Sequence, residues 1–133
     1  MSVRVKKEIA AELATQLSAI TNEAKVDTIG IFTHTGARVA FFTKSPADPN
    51  EFSAIAASLQ NAGNLAVNRL NFGEPTDIMV RSKNGFIILR KFDEFILMSG
   101  ARNIEVFQKA ASVLLAYSPK MKLLLAKIPP GQY

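Results

Sequence analysis

The side chains that could do chemistry are few in this chain, and they are not grouped in sequence. The chain has a single histidine, His34, and no cysteine, which excludes thiol nucleophiles, disulfides and cysteine-type zinc sites. His34 lies at the tip of a predicted hairpin and has no Asp or Glu beside it in sequence. We expect it to be solvated rather than catalytic, and its place on a loop leaves contact with a partner open.

Acidic pairs and glycine motifs provide no active site either. Asp93 and Glu94 are adjacent in a predicted tight turn, where neighbouring side chains diverge, so we expect a solvated turn. No phosphate loop of the form G-x-x-x-x-G-K-[ST] occurs, and the residues after Gly100 lack the glycine spacing of a nucleotide fingerprint. No carboxylate–histidine spacing typical of a metal site is present. The sequence therefore predicts a protein that is not an enzyme and uses no cofactor or metal.

Small residues recur every four positions in the longest predicted helix, which runs from Asp48 to Asn71. This ladder consists of Ala54, Ser58, Ala62 and Ala66, and residues at that spacing stack on one helix face. A seam without large side chains lets another backbone come close, and its most natural occupant is the same helix of a second copy. Burial of the ladder against the chain's own sheet is the alternative.

Other residues of this helix define its ends and its second face. Asp48 is a typical N-cap with proline at N1, and Phe72-Gly73 predicts a glycine stop. Gly63 costs about 1 kcal/mol relative to alanine in a helix, and a close backbone contact with the partner is a reason to tolerate that cost. We expect a neighbouring stripe to cover the sheet: Phe52, Ile55, Leu59 and Leu70.

Hydrophobic spacing predicts the elements around this helix. Two uninterrupted apolar runs, Ile87–Leu89 and Phe95–Met98, indicate strands that are covered on both faces, so the sheet should lie between helices. The strand before them is shorter and more polar, which suits a sheet edge. The predicted elements are a helix over Val3–Asn22, strands over Val26–Phe32, Arg38–Thr43, Thr76–Arg81, Phe86–Phe92 and Phe95–Ser99, and a last helix from Asn103 to Tyr117.

The C-terminal segment reads as an appendage. Proline disfavours helical conformation in the residue before it, so Ser118-Pro119 predicts a break, followed by a short helix through Lys127 and a frayed tail over 129–131. We therefore divide the chain into a domain over residues 1–117 and an extension over residues 118–133. The cationic, apolar run 120–127 could meet anionic lipid, or its side chains Leu123, Leu124 and Ile128 could fold back on the domain.

Composition sets the class of protein. The 133 residues include 16 basic and 11 acidic side chains, a net charge of +5, which could favour nucleic acid or anionic lipid. The charges are scattered and lack the interleaved aromatics that stack on bases, so we expect solubility to be their role and nucleic acid not to be a partner. No apolar window approaches the roughly 18 residues needed to cross a bilayer, and the N-terminus reads as an amphipathic helix. We expect a cytoplasmic protein.

The order of elements resembles the Roadblock family, the dynein light-chain and GTPase-regulator domain. The resemblance covers about 3–116 and rests on Ile29-Gly30-Ile31-Phe32 leading into Thr35-Gly36-Ala37-Arg38-Val39, on Ile78-Met79-Val80, on Asn84-Gly85-Phe86-Ile87-Ile88-Leu89-Arg90 and on Phe95-Ile96-Leu97-Met98-Ser99. It implies an α+β fold, related to profilin and longin folds. A five-stranded antiparallel sheet would carry the long helix on one face and the terminal helices on the other.

The resemblance also implies a dimer, either of two identical chains or with a paralogue. In it the edge strand pairs with its symmetry mate and the two long helices pack together. The predicted interface is therefore Ala54, Ser58, Ala62 and Ala66 on the helix, with Asp77, Ile78, Met79 and Val80 on the strand.

Two functions are considered, the first implied by the resemblance and the second suggested by the cationic, apolar run 120–127. The first is a homodimeric scaffold or regulator that binds a Ras-like small GTPase and changes its nucleotide state or location, with no catalytic side chain of its own. The second is an adaptor that tethers a complex to a membrane or motor without touching a GTPase. Membrane contact would then be indirect or through the C-terminal tail.

Overall fold

Three helices and five strands follow one another in the order that the hydrophobic pattern predicts. The computed structural model describes residues 3–129. Its elements are α1 (Lys7–Ala24), β1 (Thr28–Thr33), β2 (Arg38–Thr43), α2 (Pro49–Arg69), β3 (Ile78–Ser82), β4 (Gly85–Phe92), β5 (Phe95–Ala101), a single 3-10 turn (Ile104–Val106) and α3 (Phe107–Leu125).

The five strands form one antiparallel sheet with the order β2-β1-β5-β4-β3. Every residue of the central strand β5 is buried, as its uninterrupted apolar run predicts. β3 lies at one edge and is exposed along most of its length, so the prediction of an edge strand there is confirmed. β2 forms the other edge.

The two faces of the sheet carry different helices, which confirms the predicted fold class. α1 and α3 pack on each other and on one face, over a large core that includes Leu13, Ile31 and Leu114. α2 alone crosses the other face, over a smaller core around Phe32 and Met98. Within residues 3–129 no other helix packs on α2, so the side of α2 turned away from the sheet faces solvent there.

One of the two predicted ends of α2 agrees with the structure and the other does not. The Asp48 carboxylate accepts a hydrogen bond from the Asn50 N–H at 2.9 Å, with Pro49 in the first turn, so the predicted cap is confirmed. The predicted glycine stop is wrong. Asn71 adopts the left-handed conformation (φ 59°), and the Phe72 N–H donates to the Val67 carbonyl, which closes the helix before Gly73.

The predicted break at Ser118-Pro119 is also wrong, because α3 continues through Pro119 to Leu125. Pro119 cannot donate to the carbonyl one turn earlier, but it lies on the exposed side of the helix. Beyond it, buried side chains tie the last turns to the main core: Met121, Leu124, Leu125 and Ile128. Their burial outweighs one lost hydrogen bond. The domain boundary at residue 117 stays a prediction.

Other boundaries shift by smaller amounts. α1 begins at Lys7 rather than Val3. Lys6 has non-helical angles (φ −58°, ψ 144°), and the Val3 N–H donates to the Arg38 carbonyl of β2. β3 begins at Ile78 rather than Thr76, whereas β2 has its predicted bounds. Of the predicted tail, Pro129 is exposed, and residues 130 and 131 lie outside the described residues.

A hydrogen bond joins α1 and α3 at the surface, where the Tyr117 hydroxyl donates to a Glu23 carboxylate oxygen at 2.9 Å. This bond, together with the carboxylate charge, raises the pKa of Tyr117 above its ordinary value of 10.0. The folded pKa is the higher one, so the bond stabilises the fold below the unfolded pKa and is lost as pH rises through the folded pKa.

The Tyr117 phenol should therefore titrate above an ordinary tyrosine, and Glu23→Gln should return its pKa toward the ordinary value. The measurement is the ultraviolet absorbance of tyrosinate against pH in a Tyr133→Phe background, which removes the second tyrosine. An unchanged pKa in Glu23→Gln would show that the carboxylate is not the cause.

Candidate dimer interface

The ladder of small residues lies on the outward side of α2. Ala54, Ser58, Ala62 and Ala66 are all exposed. The residues that α2 buries against the sheet are Ser53, Ala56, Ala57 and Gln60. The alternative that the ladder packs on the chain's own sheet is therefore wrong. The predicted stripe over the sheet is right only for Phe52 and Leu59, which pack on the smaller core.

Two members of that predicted stripe belong to the outward surface instead. Ile55 is partly exposed, and 61% of Leu70 is accessible to solvent. Leu70 follows the last helical turn, so the helical spacing that assigned it to the buried side no longer applies there. The outward surface of α2 is therefore more apolar than the ladder alone suggests.

Sequence reasoning missed two further residues of this surface. Leu65 and Phe72 are exposed, Phe72 at 74% of its surface. A signal for Leu65 was available, since it follows Ala62 by three positions and must share its face. We call Ala54, Ile55, Ser58, Ala62, Leu65 and Ala66 the outward face of α2.

Gly63 has a different role from the one predicted. A Cβ atom at this position would lie 2.5 Å from the Ile78 Cδ1 atom of β3. The glycine therefore lets β3 of the same chain approach α2. The inference that Gly63 makes room for a partner helix is wrong, because its close neighbour is internal.

The outer edge of β3 offers main-chain groups to a partner. Ser82 and Gly85 flank a two-residue turn and form a hydrogen-bonded pair. In an antiparallel ladder every second residue bonds to the neighbouring strand, so Val80 and Ile78 also bond to β4. The main-chain N–H and C=O groups of Met79 and Arg81 therefore point to the free edge. The side chains of Met79 and Val80 are exposed on opposite faces of the sheet.

The other two predicted strand residues have contacts within the chain. Asp77 precedes β3, and its carboxylate forms an ion pair with the Arg90 guanidinium at 2.8 Å. The Ile78 side chain is half-buried against the smaller core and beside Gly63. These two residues hold β3 to the rest of the fold, so their side chains are poorly placed to contact a second copy.

The structure also gives His34 a neighbour that its sequence position hides. The hairpin β4–β5 brings Glu94 to the same end of the sheet, with a His34 Nδ1 to Glu94 carboxylate distance of 3.0 Å. Both side chains are about half exposed, so the pair is a surface contact between two hairpin turns. Glu94 is therefore not simply solvated. The described residues contain no cluster of three His, Asp or Glu side chains able to hold a metal ion.

Comparison with known proteins fixes the family. The sequence model of the Roadblock/LC7 domain matches residues 12–101, which is more than half of the chain. The chain belongs to the Roadblock/LC7 domain family. A comparison with curated protein sequences finds no match.

Solved structures of Roadblock proteins and of a profilin share the fold. Myxococcus xanthus MglB superposes with a TM-score of 0.81 at 10% sequence identity, covering 92% of this chain and 98% of that one. A Roadblock/LC7 domain from Streptomyces avermitilis gives 0.62 at 14% identity, with 78% and 92% covered. A profilin from Schizosaccharomyces pombe gives 0.57 at 19% identity, with 84% and 94% covered. At these identities the likeness establishes the fold of the Roadblock domain.

None of the helices within residues 3–129 combines the length and apolar content that crossing a membrane requires.

Proposed function

We propose that this Roadblock domain is a homodimeric, non-catalytic regulator or scaffold that binds a Ras-like small GTPase in the cytoplasm. The observation that carries the proposal is the outward face of α2, a surface of small and apolar side chains that lies beside the free edge of β3. The proposal has two parts: assembly of two copies through α2 and β3, and recognition of the GTPase by the assembled pair.

Both β3 and α2 have a physical reason to pair with a second copy. Pairing two β3 edges across a two-fold axis would satisfy the outward main-chain groups of Met79 and Arg81 in both copies. The ladder on α2 would allow the two helices to approach closely, while Ile55 and Leu65 add buried apolar area. The contacts of β3 with β4 and of Ile78 with α2 hold both elements in place before assembly.

Regulation of a GTPase needs no catalytic group in this chain. A partner that binds one nucleotide state more tightly than the other shifts the GTPase toward the preferred state, by as much as the difference in affinity. Roadblock proteins serve as GTPase regulators or adaptors, and this chain's resemblance to them supports the GTPase as partner.

The GTPase is tested with purified Ras-like GTPases loaded with GDP or with a non-hydrolysable GTP analogue. We expect one loaded state to bind at least about tenfold more tightly, a difference of about 1.4 kcal/mol. Phosphate release with and without the protein then separates a regulator of hydrolysis from a scaffold. Failure to bind any of the GTPases in either state would contradict this part of the proposal.

A second candidate is an adaptor that contacts anionic membranes through the end of α3. The observation in its favour is Leu123, which is 70% exposed among the exposed lysines Lys120, Lys122 and Lys127. Leu124 and Ile128 do fold back on the domain, so of the three apolar residues considered only Leu123 is free to insert into a bilayer. Sedimentation with anionic vesicles, with Leu123→Ser as the variant, separates this candidate from the first.

A further inference from the structure

A groove of about 360 Å³ opens between α1 and β2, at the sheet edge opposite to β3. Its volume is at the lower end of ligand-binding pockets, roughly 300–1,000 Å³. Apolar side chains form most of its walls, among them Leu13 and Leu17 from α1 and Val39 and Phe42 from β2. Lys44 is the one charged residue among the described residues that line it.

Small side chains keep this groove open, and an exposed aromatic side chain lies beside it. Ala10, Ala14 and Ser18 repeat every four positions along α1 and leave its β2 side without bulk. Phe42, the next-to-last residue of the edge strand, is 47% exposed. An aromatic side chain exposed on an unpaired edge strand is an aggregation hazard unless something covers it.

The hydrogen-bond pattern shows which main-chain groups of β2 are free. The Lys44 N–H donates to the Asp27 carbonyl. Because every second residue of an antiparallel strand bonds to the same neighbour, the main-chain groups of Phe42 and Ala40 also point toward β1. The N–H and C=O groups of Phe41 and Thr43 therefore point to the outer edge. Within residues 3–129, no main-chain hydrogen bond reaches those groups from outside the sheet.

At the other end of β2 the chain itself already uses this edge. Val3 donates its N–H to the Arg38 carbonyl at 2.6 Å and buries its side chain in the core. This bond shows that a main-chain group on the outer edge of β2 can be paired with another segment, which is the contact that strand addition uses.

We propose that the α1–β2 groove binds an extended peptide segment of a partner protein, which adds to the outer edge of β2. The peptide main chain would bond to Phe41 and Thr43, and two apolar side chains at alternate positions would enter the groove beside Phe42. An acidic residue would meet Lys44, because the described lining contains no carboxylate.

The free edge favours a peptide over a lipid, since an acyl chain would leave the Phe41 and Thr43 main-chain groups unpaired. A second copy is a poorer occupant. If the protein dimerises through β3 as proposed, adding another copy on β2 would extend the sheet from dimer to dimer without closure.

The probe is a synthetic peptide blocked at both ends, with the sequence Val-Thr-Leu-Thr-Val and a Glu-Asp pair at one end or the other. On binding, the Phe41 and Thr43 amide protons should exchange with solvent at least about tenfold more slowly, as newly bonded amides do. The control peptide is N-methylated at alternate residues, which removes its main-chain donors but keeps its side chains. We expect it to bind at least about tenfold more weakly, since it cannot form the main-chain hydrogen bonds to Phe41 and Thr43.

Variants of the full chain locate the site. Ala14→Trp should fill the groove and weaken peptide binding at least about tenfold, whereas Thr15→Trp, on the solvent side of α1, should leave it within about twofold. Lys44→Glu should weaken the binding of the acidic peptide and leave the binding of a neutral peptide unchanged. Equal affinity for Ala14→Trp and the native chain, or for the N-methylated and unmodified peptides, would overturn the proposal.

Other occupants give distinct results, and each would also overturn it. Oleate that binds in an Ala14-dependent way while no peptide does would assign the groove to an apolar small molecule. Masses above the dimer that Ala14→Trp abolishes would assign it to a second copy. The groove and the β3 edge lie at opposite ends of the sheet, so a failure here leaves the proposed dimer untouched.

Discussion

Replacing Met121 by alanine is expected to lower the free energy of unfolding by about 2–5 kcal/mol, because the side chain is fully buried beneath the end of α3. The loss combines the transfer free energy of the removed atoms with a cavity in the main core. Chemical denaturation followed by circular dichroism measures it. An effect of this size is a large fraction of the stability of a typical domain, about 5–15 kcal/mol.

Leu123→Ala is the matched control, since it removes an exposed apolar side chain from the same helix turn. We expect it to change the free energy of unfolding by less than about 0.5 kcal/mol. Equal small effects in both variants would mean that the residues after Pro119 do not belong to the core. Because Leu124, Leu125 and Ile128 are buried in that core as well, deletion of residues 118–133 should lower the free energy of unfolding by more than Met121→Ala does.

Replacing Ala62 by arginine is expected to separate the proposed dimer into monomers and leave the monomer folded. Ala62 is exposed in the single chain, so an arginine side chain there can extend into solvent. In a closely packed helix seam, an unpaired buried charge should cost at least about 3 kcal/mol, or over a hundredfold in the dimer dissociation constant. Sedimentation equilibrium measures the dissociation constant.

Ala116→Arg is the matched control for this variant. Ala116 is an exposed alanine on α3, outside the proposed interface, so the same substitution there should leave the dimer intact. If GTPase binding depends on assembly, Ala62→Arg should abolish it and Ala116→Arg should preserve it. A dimer that survives Ala62→Arg would place the interface elsewhere.

Met79→Pro tests the strand half of the same interface. The Met79 N–H points to the free edge, so proline there removes no hydrogen bond to β4. It would remove a bond to the second copy.

Local chemistry explains what the sequence predicted well. Asp48 and Pro49 start α2 where expected, because their effect depends only on the adjacent backbone. The buried strand β5 was recognisable because apolar residues on both faces leave a continuous run. The four-residue spacing of the ladder identified one helix face correctly, although spacing alone could not decide whether that face turns toward the sheet.

The errors came from contacts between distant parts of the chain. Pro119 fails to end α3 because Met121 and its neighbours are held by the core beyond it. Gly63 accommodates Ile78, and Glu94 reaches His34, each across a separation that local patterns do not encode. The α1–β2 groove was not predicted either, since it depends on how far α1 lies from the edge strand.

The mass of the native protein in solution tests the central claim most directly. Light scattering after size-exclusion chromatography should give about 29 kDa, twice the chain mass of 14.5 kDa, across a range of loading concentrations. A mass of 14.5 kDa that persists at the highest concentration would contradict the pairing of α2 and β3 between two copies.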